Sequence, residues 1–364
     1  MVKINRGYWN PFTSNMVCSL FRAYAIAIAV NVHIMQCQSG LSCWQAGQYW
    51  QKPETLFLHL TVAFLDVINM LNRFSPLVLW VVVAVLLALA CTPDSSAQPR
   101  SAAAINVATY NLRYNNTGDG VNAWPSRKEM VKALIRYHEF DIVGTQEGLA
   151  DQITDLAQME EFDHVGVGRD DGRNAGEHSA IFFRKNRFTL LSKGDFWLSE
   201  TPDHPSYGWD ATCCRRLVSW ARLRDRGSSR VLFVFSVHFD HEGQVARRAS
   251  AELVLRKIAE IARGEPAICL GDFNSTPETV QMQNMAKGMR DAYRISQAPP
   301  YGPVGTFNNF QLDAAMNERI DYIFVDQHFD VLKYAVISDS RDRRYPSDHH
   351  PVVARIILKG PVRK

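Results

Sequence analysis

Residues 105–114 read INVATYNLRY, in which Val107, Thr109, Asn111 and Arg113 alternate with Ala108, Tyr110 and Leu112. A period of two predicts a strand, here one that ends in polar residues. Met130, Val131, Leu134 and Ile135 then recur at helical spacing behind Ser126 and Glu129, which hold the positions of a capping box. Residues 141–147, DIVGTQE, predict a short strand that delivers Gln146 and Glu147 at its end, and 149–159 predict a second helix. The middle of the chain changes character. SAIFFRK, FTLLSKGDFWLS, RLVSWARL and VLFVFSVHF are short β-rich runs, and residues 225–229 suit a hairpin connection. A long helix is expected over 244–262, with Val245, Ala249 and Leu253 on one line and Val254, Ile258 and Ile261 beside it. AICLGDF, RIDYIFV, VLKYAVI and PVVARIIL supply later strands. Strands alternate with helices at both ends and cluster without helices in the middle. The pattern predicts an α/β fold over residues 105–360: a four-layer αββα sandwich of two stacked mixed β-sheets with helices on the outer faces.

The first hundred residues follow a different pattern. Residues 77–90, LVLWVVVAVLLALA, carry no charge; Met70, Asn72 and Arg73 precede them and a Ser/Ala/Pro-rich stretch follows. This resembles a secretory signal over 70–97 with a linker over 98–104, and the apolar run is short for a membrane span of about 20 residues. An exported chain, periplasmic or secreted, is therefore expected. Two processing outcomes compete: cleavage before Gln98, or lipidation at Cys91 after an imperfect lipobox in which Ala88 stands where leucine is usual. Translation from Met70 leaves 1–69 as an upstream region of uncertain status, and a multi-span N-terminus is the competing reading.

Several apolar strands share an unusual feature: each ends in groups able to do chemistry. These are Asn111, Gln146 with Glu147, His238 with Asp240, Asp272 with Asn274, and Asp348 with His349 and His350. Any one could cap a turn, and Asp272 with Asn274 before Pro277 fits an Asx turn. Five such ends point to one shared site. Glu147 is a carboxylate of the kind Mg²⁺ accepts, and Asn111, Asp272, Asn274 and Asp348 can complete an oxygen-rich shell directly or through waters. Mn²⁺ accepts the same ligands. The scarcity of cysteine near these residues argues against a thiolate zinc site.

YNLR (110–113), TQE (145–147), VHFDHEG (237–243), GDFNSTP (271–277), RIDYIFV (319–325) and SDHHPV (347–352), in that order, resemble the endonuclease/exonuclease/phosphatase family. The resemblance covers nearly all of 105–358. Val237 stands where the family usually has threonine. The resemblance implies divalent-metal-dependent hydrolysis of a phosphate monoester or diester, with Asn111 and Glu147 at the metal. It also implies that Asp272 activates water, His238 assists the phosphate or leaving group, His349 contacts phosphate and Asn274 holds water or phosphate. Asp348 either fixes the tautomer of His349 or reaches the metal; in the swapped assignment His349 is the base. Glu177, His178, Asp210 and Arg216, the last with its register open to Arg215, are expected to bind substrate. Trp124 and Trp209 offer stacking faces, or belong to the core.

Charge then narrows the substrate. The formal net charge is +3, and beyond residue 97 there are 34 acidic and 35 basic residues. Such balance disfavours a broad nucleic-acid-tracking surface, although a nuclease stays within the same chemistry. A phospholipid head-group hydrolase is a further alternative, but no long basic amphipathic helix advertises a membrane, leaving a lipid at Cys91 as the only anchor. A non-enzymatic binding module would lack metal or base residues, and every main one is present. The cysteines form no disulfide framework: Cys269 is expected as a buried thiol, and the adjacent Cys213 and Cys214 as poorly placed to bridge each other.

Overall fold

A computed structural model describes residues 104–360; the export segment with Met70, Cys91 and Gln98 lies outside the described residues. One six-stranded sheet holds β1 (Ile105–Asn111), β2 (Ile142–Gln146), β3 (Phe162–Val165), β4 (Ile181–Arg184), β11 (Phe329–Val336) and β12 (Val352–Leu358), in the order β11-β12-β1-β2-β4-β3. The other holds β5 (Phe188–Trp197), β6 (Leu217–Asp225), β7 (Val231–His238), β8 (Ala267–Asp272), β9 (Arg290–Asp291) and β10 (Asp321–Val325), in the order β5-β6-β7-β8-β10-β9. Both are mixed. β1 runs parallel to β2 and β7 to β8, whereas the flanking pairs are antiparallel.

The alternation of side chains sorts each strand between two cores. Ile105 and Val107 of β1, Leu232 and Val234 of β7, Ile268 and Leu270 of β8 and Ile323 and Val325 of β10 meet in the layer between the sheets. Ala108 and Tyr110 face outward under α1 (Trp124–Tyr137) and α2 (Ala150–Ala157). Phe233, Phe235, Cys269 and Phe324 face outward under α3 (Gln244–Ala262) and α4 (Val280–Gly288). The result is the four-layer sandwich expected from the sequence.

Parity also explains where the chemistry gathers. Asn111, Gln146, His238 and Asp272 are the last inward-facing residues of β1, β2, β7 and β8, and Asp321 is the first of β10, paired in register with Asp272. The two central parallel pairs therefore end at one mouth of the inter-sheet layer, where the apolar core gives way to polar groups.

Three local expectations differ. α1 begins at Trp124 with Pro125 in its first turn, so Ser126 lies inside the helix and caps nothing; proline has no N–H to lose at that position and its fixed φ starts the helix early. β3 and α4 carry weak signals, since β3 is four residues long and α4 buries only Gln281, Met282 and Met285. Of the two readings for the tryptophans the core holds: Trp124 is buried in one outer core with its indole N–H on Asp155 Oδ2 at 2.9 Å, and Trp209 packs half-buried against the other.

Candidate active site

Glu147 follows β2 with a φ of +63°, a left-handed backbone that a non-glycine residue adopts only under constraint. The constraint is visible: Oε2 accepts from Tyr114 N at 3.1 Å and Oε1 from Asn111 Nδ2 at 2.9 Å. The same Asn111 amide donates to Asp272 Oδ2 at 3.0 Å, so one side chain ties the first sheet to the second at the mouth. Its oxygen accepts from Arg113 N at 3.0 Å. Asn111 thus offers nitrogen to the carboxylates, and direct metal ligation would require its amide to turn over.

Donor atoms of Glu147, His238 and Asp272 lie within 4.8 Å of one another, as do those of Asp272, Asp321 and His349. Burial, and then the charge of Asp321, pushes Asp272 up to about 7. Burial likewise raises Glu177 and Asp348. Carboxylates packed this closely away from water require a compensating cation, and an oxygen-rich set with one imidazole fits a divalent ion. The residues present therefore fit the metal that the sequence implies.

The two histidines occupy opposite electrostatic states. His349 Nδ1 lies 2.9 Å from Asp321 Oδ2, and although burial opposes charge, Asp321, Asp272 and Asp348 hold the imidazole well above its ordinary value. These carboxylates favour its protonated, imidazolium form. His238 is held well below, by burial first and then by Arg216, whose Nη1 sits 3.0 Å from both ring nitrogens. Burial and Arg216 thus favour the neutral form of His238. Arg216 is fixed further by His241 Nδ1 at 2.8 Å, and this settles the register, because Arg215 turns instead to Asp170 Oδ1 at 3.3 Å.

These groups line a cleft of about 790 Å³, which includes Arg113, Glu147, Arg169, Glu177, Arg216, His238, Asp272, Asn274, Asp348 and His349. Asn274 forms the expected Asx turn, its N–H on Asp272 Oδ1 at 2.8 Å, and spends its amide N–H on Phe239 O at 3.0 Å, leaving its side-chain oxygen for the cleft. Glu177 is paired with Arg169 Nη1 at 2.6 Å.

Other expected site residues sit elsewhere. His178 is buried outside the cleft lining and bonds through both its backbone N–H and its ring to Gly148 O, because its side chain leaves the chain opposite to that of Glu177. Asp210 is exposed and accepts from Val245 N at 3.0 Å and Ala246 N at 2.7 Å, which makes it a cap on the start of α3 delivered from a distant loop. Asp348 does not fix the tautomer of His349; adjacent side chains diverge, and Asp348 Oδ2 faces Arg113 Nε at 3.9 Å. Cys213 and Cys214, expected to remain apart, are joined as a disulfide on the rim of the cleft, in an exposed loop free to take up the turn that adjacent half-cystines require.

Sequence reading passed over Asp321, Arg113, Arg169 and Phe307. The signal for Asp321 was present: in RIDYIFV it holds the parity of Ile323 and Val325, so it had to face inward at the strand's start. Arg169 and Phe307 come from loops without periodicity; Phe307 meets the His349 ring edge-on with centroids 5.1 Å apart.

A four-layer sandwich with a carboxylate-rich, arginine-edged cleft at the ends of its central strands defines a metal-dependent phosphoesterase. Residues 108–349 match the family model described as Endonuclease/Exonuclease/phosphatase family, and the chain belongs to that family. Among solved structures it is similar to the mannosyl-6-phosphatase Bt3783 of Bacteroides thetaiotaomicron VPI-5482, at 40% identity and a TM-score of 0.67, covering 70% of this chain and 100% of that one. It is also similar to an endonuclease/exonuclease/phosphatase from Bacteroides vulgatus, at 39% identity and a TM-score of 0.68, covering 70% and 99%. Among curated proteins it matches the uncharacterized protein L388 of Acanthamoeba polyphaga mimivirus at 25% identity over 164 residues, 43% of this chain and 60% of that protein's length.

Proposed function

We propose that the chain hydrolyses sugar phosphate monoesters outside the cytoplasm, with Mg²⁺ as its cation and Mn²⁺ able to replace it. The observation that carries this reading is the 40% identity, over the whole of that chain, to a protein named a mannosyl-6-phosphatase. Charge balance and the cleft support it. A pocket of about 790 Å³ suits a small molecule, and its three arginines, Arg113, Arg169 and Arg216, suit one compact anionic group better than a polymer.

Glu147, at one end of the Glu147–His238–Asp272 cluster, would hold the cation, which when bound neutralises charge on the phosphate oxygens and leaves Asp272 to the attacking water. Asp272, pushed up to about 7 and accepting bonds from Asn111 and Asn274, is basic enough to take a proton from an attacking water near neutral pH. The imidazolium of His349, kept charged by Asp321, donates from Nε2 to a phosphate oxygen as negative charge builds there. Arg216, locked by His238 and His241, presents its guanidinium without the entropy cost of ordering a free side chain.

The test is inorganic phosphate release by the purified chain from mannose 6-phosphate, glucose 6-phosphate, a nucleoside monophosphate, a phosphodiester and single-stranded DNA, in Mg²⁺, Mn²⁺ and EDTA. A kcat/KM for a hexose 6-phosphate at least about tenfold above the others, abolished by EDTA, is expected. Preference for a diester or nucleic acid overturns the reading. Intact mass of exported protein tests the location: a Gln98 terminus or a lipidated Cys91 supports export, and an unprocessed N-terminus refutes it.

A further inference from the structure

The Cys213–Cys214 disulfide does nothing for the global fold. It encloses no intervening residues, so the loop-closure entropy by which disulfides ordinarily stabilise proteins is negligible. Its surroundings are functional. Both residues line the cleft beside Arg216, Glu177 and His238. On one flank Thr212 Oγ1 donates to Glu242 Oε2 at 3.3 Å, and on the other Arg215 bonds Asp170 Oδ1 at 3.3 Å and lies over the Tyr207 ring, 4.7 Å from its centroid. The pair therefore spans the junction of three loops, 168–178, 208–216 and 239–243, that border one side of the mouth.

Chemistry distinguishes it from its neighbours. The rest of this side of the lining is polar: Arg169, Glu177, Arg216 and His241. Two bonded sulfurs are apolar and polarisable, carry no hydrogen-bond donor and cannot rotate independently, whereas two thiols can. Cys213 is exposed and Cys214 half-buried, so the bond is open to solvent-borne reductant; the third described cysteine, Cys269, is buried in the outer core. Arg216 keeps its own anchors on His238 and His241 and does not depend on the sulfurs.

We propose that the Cys213–Cys214 disulfide is a specificity-determining wall of the cleft, a rigid apolar ledge against which the organic group esterified to the phosphate rests. The proposal rests on the reading of the cleft as a phosphomonoester site. Reduction by an external dithiol breaks the S–S bond; the dithiol supplies two electrons and two protons, Cys213 and Cys214 become thiols, and the reagent leaves as its own disulfide. The ledge is then replaced by two independently mobile thiols, and the ester group loses its support while the phosphate keeps its partners.

The experiment uses the exported chain, oxidised or reduced with dithiothreitol and then desalted without air, with alkylation and intact mass to count thiols. KM and kcat for mannose 6-phosphate are measured with the inhibition constant of inorganic phosphate, which has no ester group. Reduction is expected to raise KM about five- to tenfold, leave kcat within about twofold and leave phosphate inhibition unchanged. The Cys213→Ser/Cys214→Ser chain should reproduce the reduced values and ignore dithiothreitol. Equal KM in both redox states, a parallel loss of phosphate inhibition, or a native chain with no bond between these cysteines overturns the wall. Calorimetric binding of mannose 6-phosphate to the Asp272→Asn chain in both redox states keeps the two ideas separable: no turnover in any state counts against the phosphoesterase substrate, and redox-independent binding counts against the wall.

Discussion

Replacing Asp321 with asparagine isolates the charge that organises the catalytic end of the second sheet. The substitution keeps an oxygen able to accept from His349 Nδ1, now at 2.9 Å, and removes only the negative charge. Backbone anchoring is also kept, because Asp321 N donates to Thr306 Oγ1 at 3.1 Å and β10 pairs with β8 through its main chain. At the roughly 4 Å between charge centres that such a contact implies, a buried carboxylate and imidazolium attract by about 4 kcal/mol at an effective dielectric of 20. General acid–base and electrostatic assistance of this kind supplies a factor of about 10² to 10⁴. A fall in kcat within that range is therefore expected, together with some loss of melting temperature from the broken buried pair.

The pH profile makes the argument specific. Asp321 raises His349, and a donor that must be protonated loses activity as pH rises through its pKa; without Asp321 that pKa falls, and the basic limb moves to lower pH. Asp321 is also the second cause, after burial, of the elevation of Asp272 to about 7. A base that must be ionised loses activity as pH falls through its pKa, so without Asp321 the acid limb moves to lower pH as well. Both limbs of kcat against pH, measured by phosphate release from mannose 6-phosphate at saturating Mg²⁺, should shift acidward together. A folded variant with kcat within about threefold of the parent, or with limbs that stay in place or move alkaline, would refute the assignment of Asp321.

Glu147→Gln removes the charged oxygen best placed for the cation, and activity should fall by at least about two orders of magnitude, with near-native turnover at limiting Mg²⁺ as the contrary result. Asp210→Ala should lower the melting temperature by about 2–4 °C through loss of the α3 cap, yet leave KM for mannose 6-phosphate unchanged; a raised KM would return Asp210 to the substrate. His350, buried against Tyr345 with Nε2 unpartnered, is depressed to about 4 by burial and then by His349. Below about pH 6.5 the unfolded chain binds a proton that the folded ring refuses, so folding stability should drop by up to about 3 kcal/mol as pH falls from 6.5 to 4, and His350→Phe should flatten that slope in urea titrations. Parallel stability curves for the two proteins would exclude it.

How much of this was legible in the sequence follows from where each group sits relative to regular backbone. Asn111, Glu147, His238 and Asp272 end strands whose apolar alternation is strong, and alternation specifies both that a strand exists and which way its last residue points. The same reasoning carries the sandwich itself, since β7 and β8 bury nearly every residue and read as apolar runs, whereas β5, half-exposed along its middle, reads as an edge. Loop residues obey no such rule. Glu177 and His178 are neighbours, and only the fold decides that Glu177 enters the cleft while His178 pins its loop to Gly148. Asp210 is opaque for a related reason: a lone carboxylate beside tryptophan carries no mark of whether it meets a ligand or a helix end 35 residues away. Cys213 and Cys214 show the limit most clearly. Their adjacency argued against a bond on covalent geometry alone, but geometry forbids it only where the backbone is held regular. Between the end of β5 and the start of β6 the chain is held by neither ladder, so the backbone can bend to close the bond at the rim of the site.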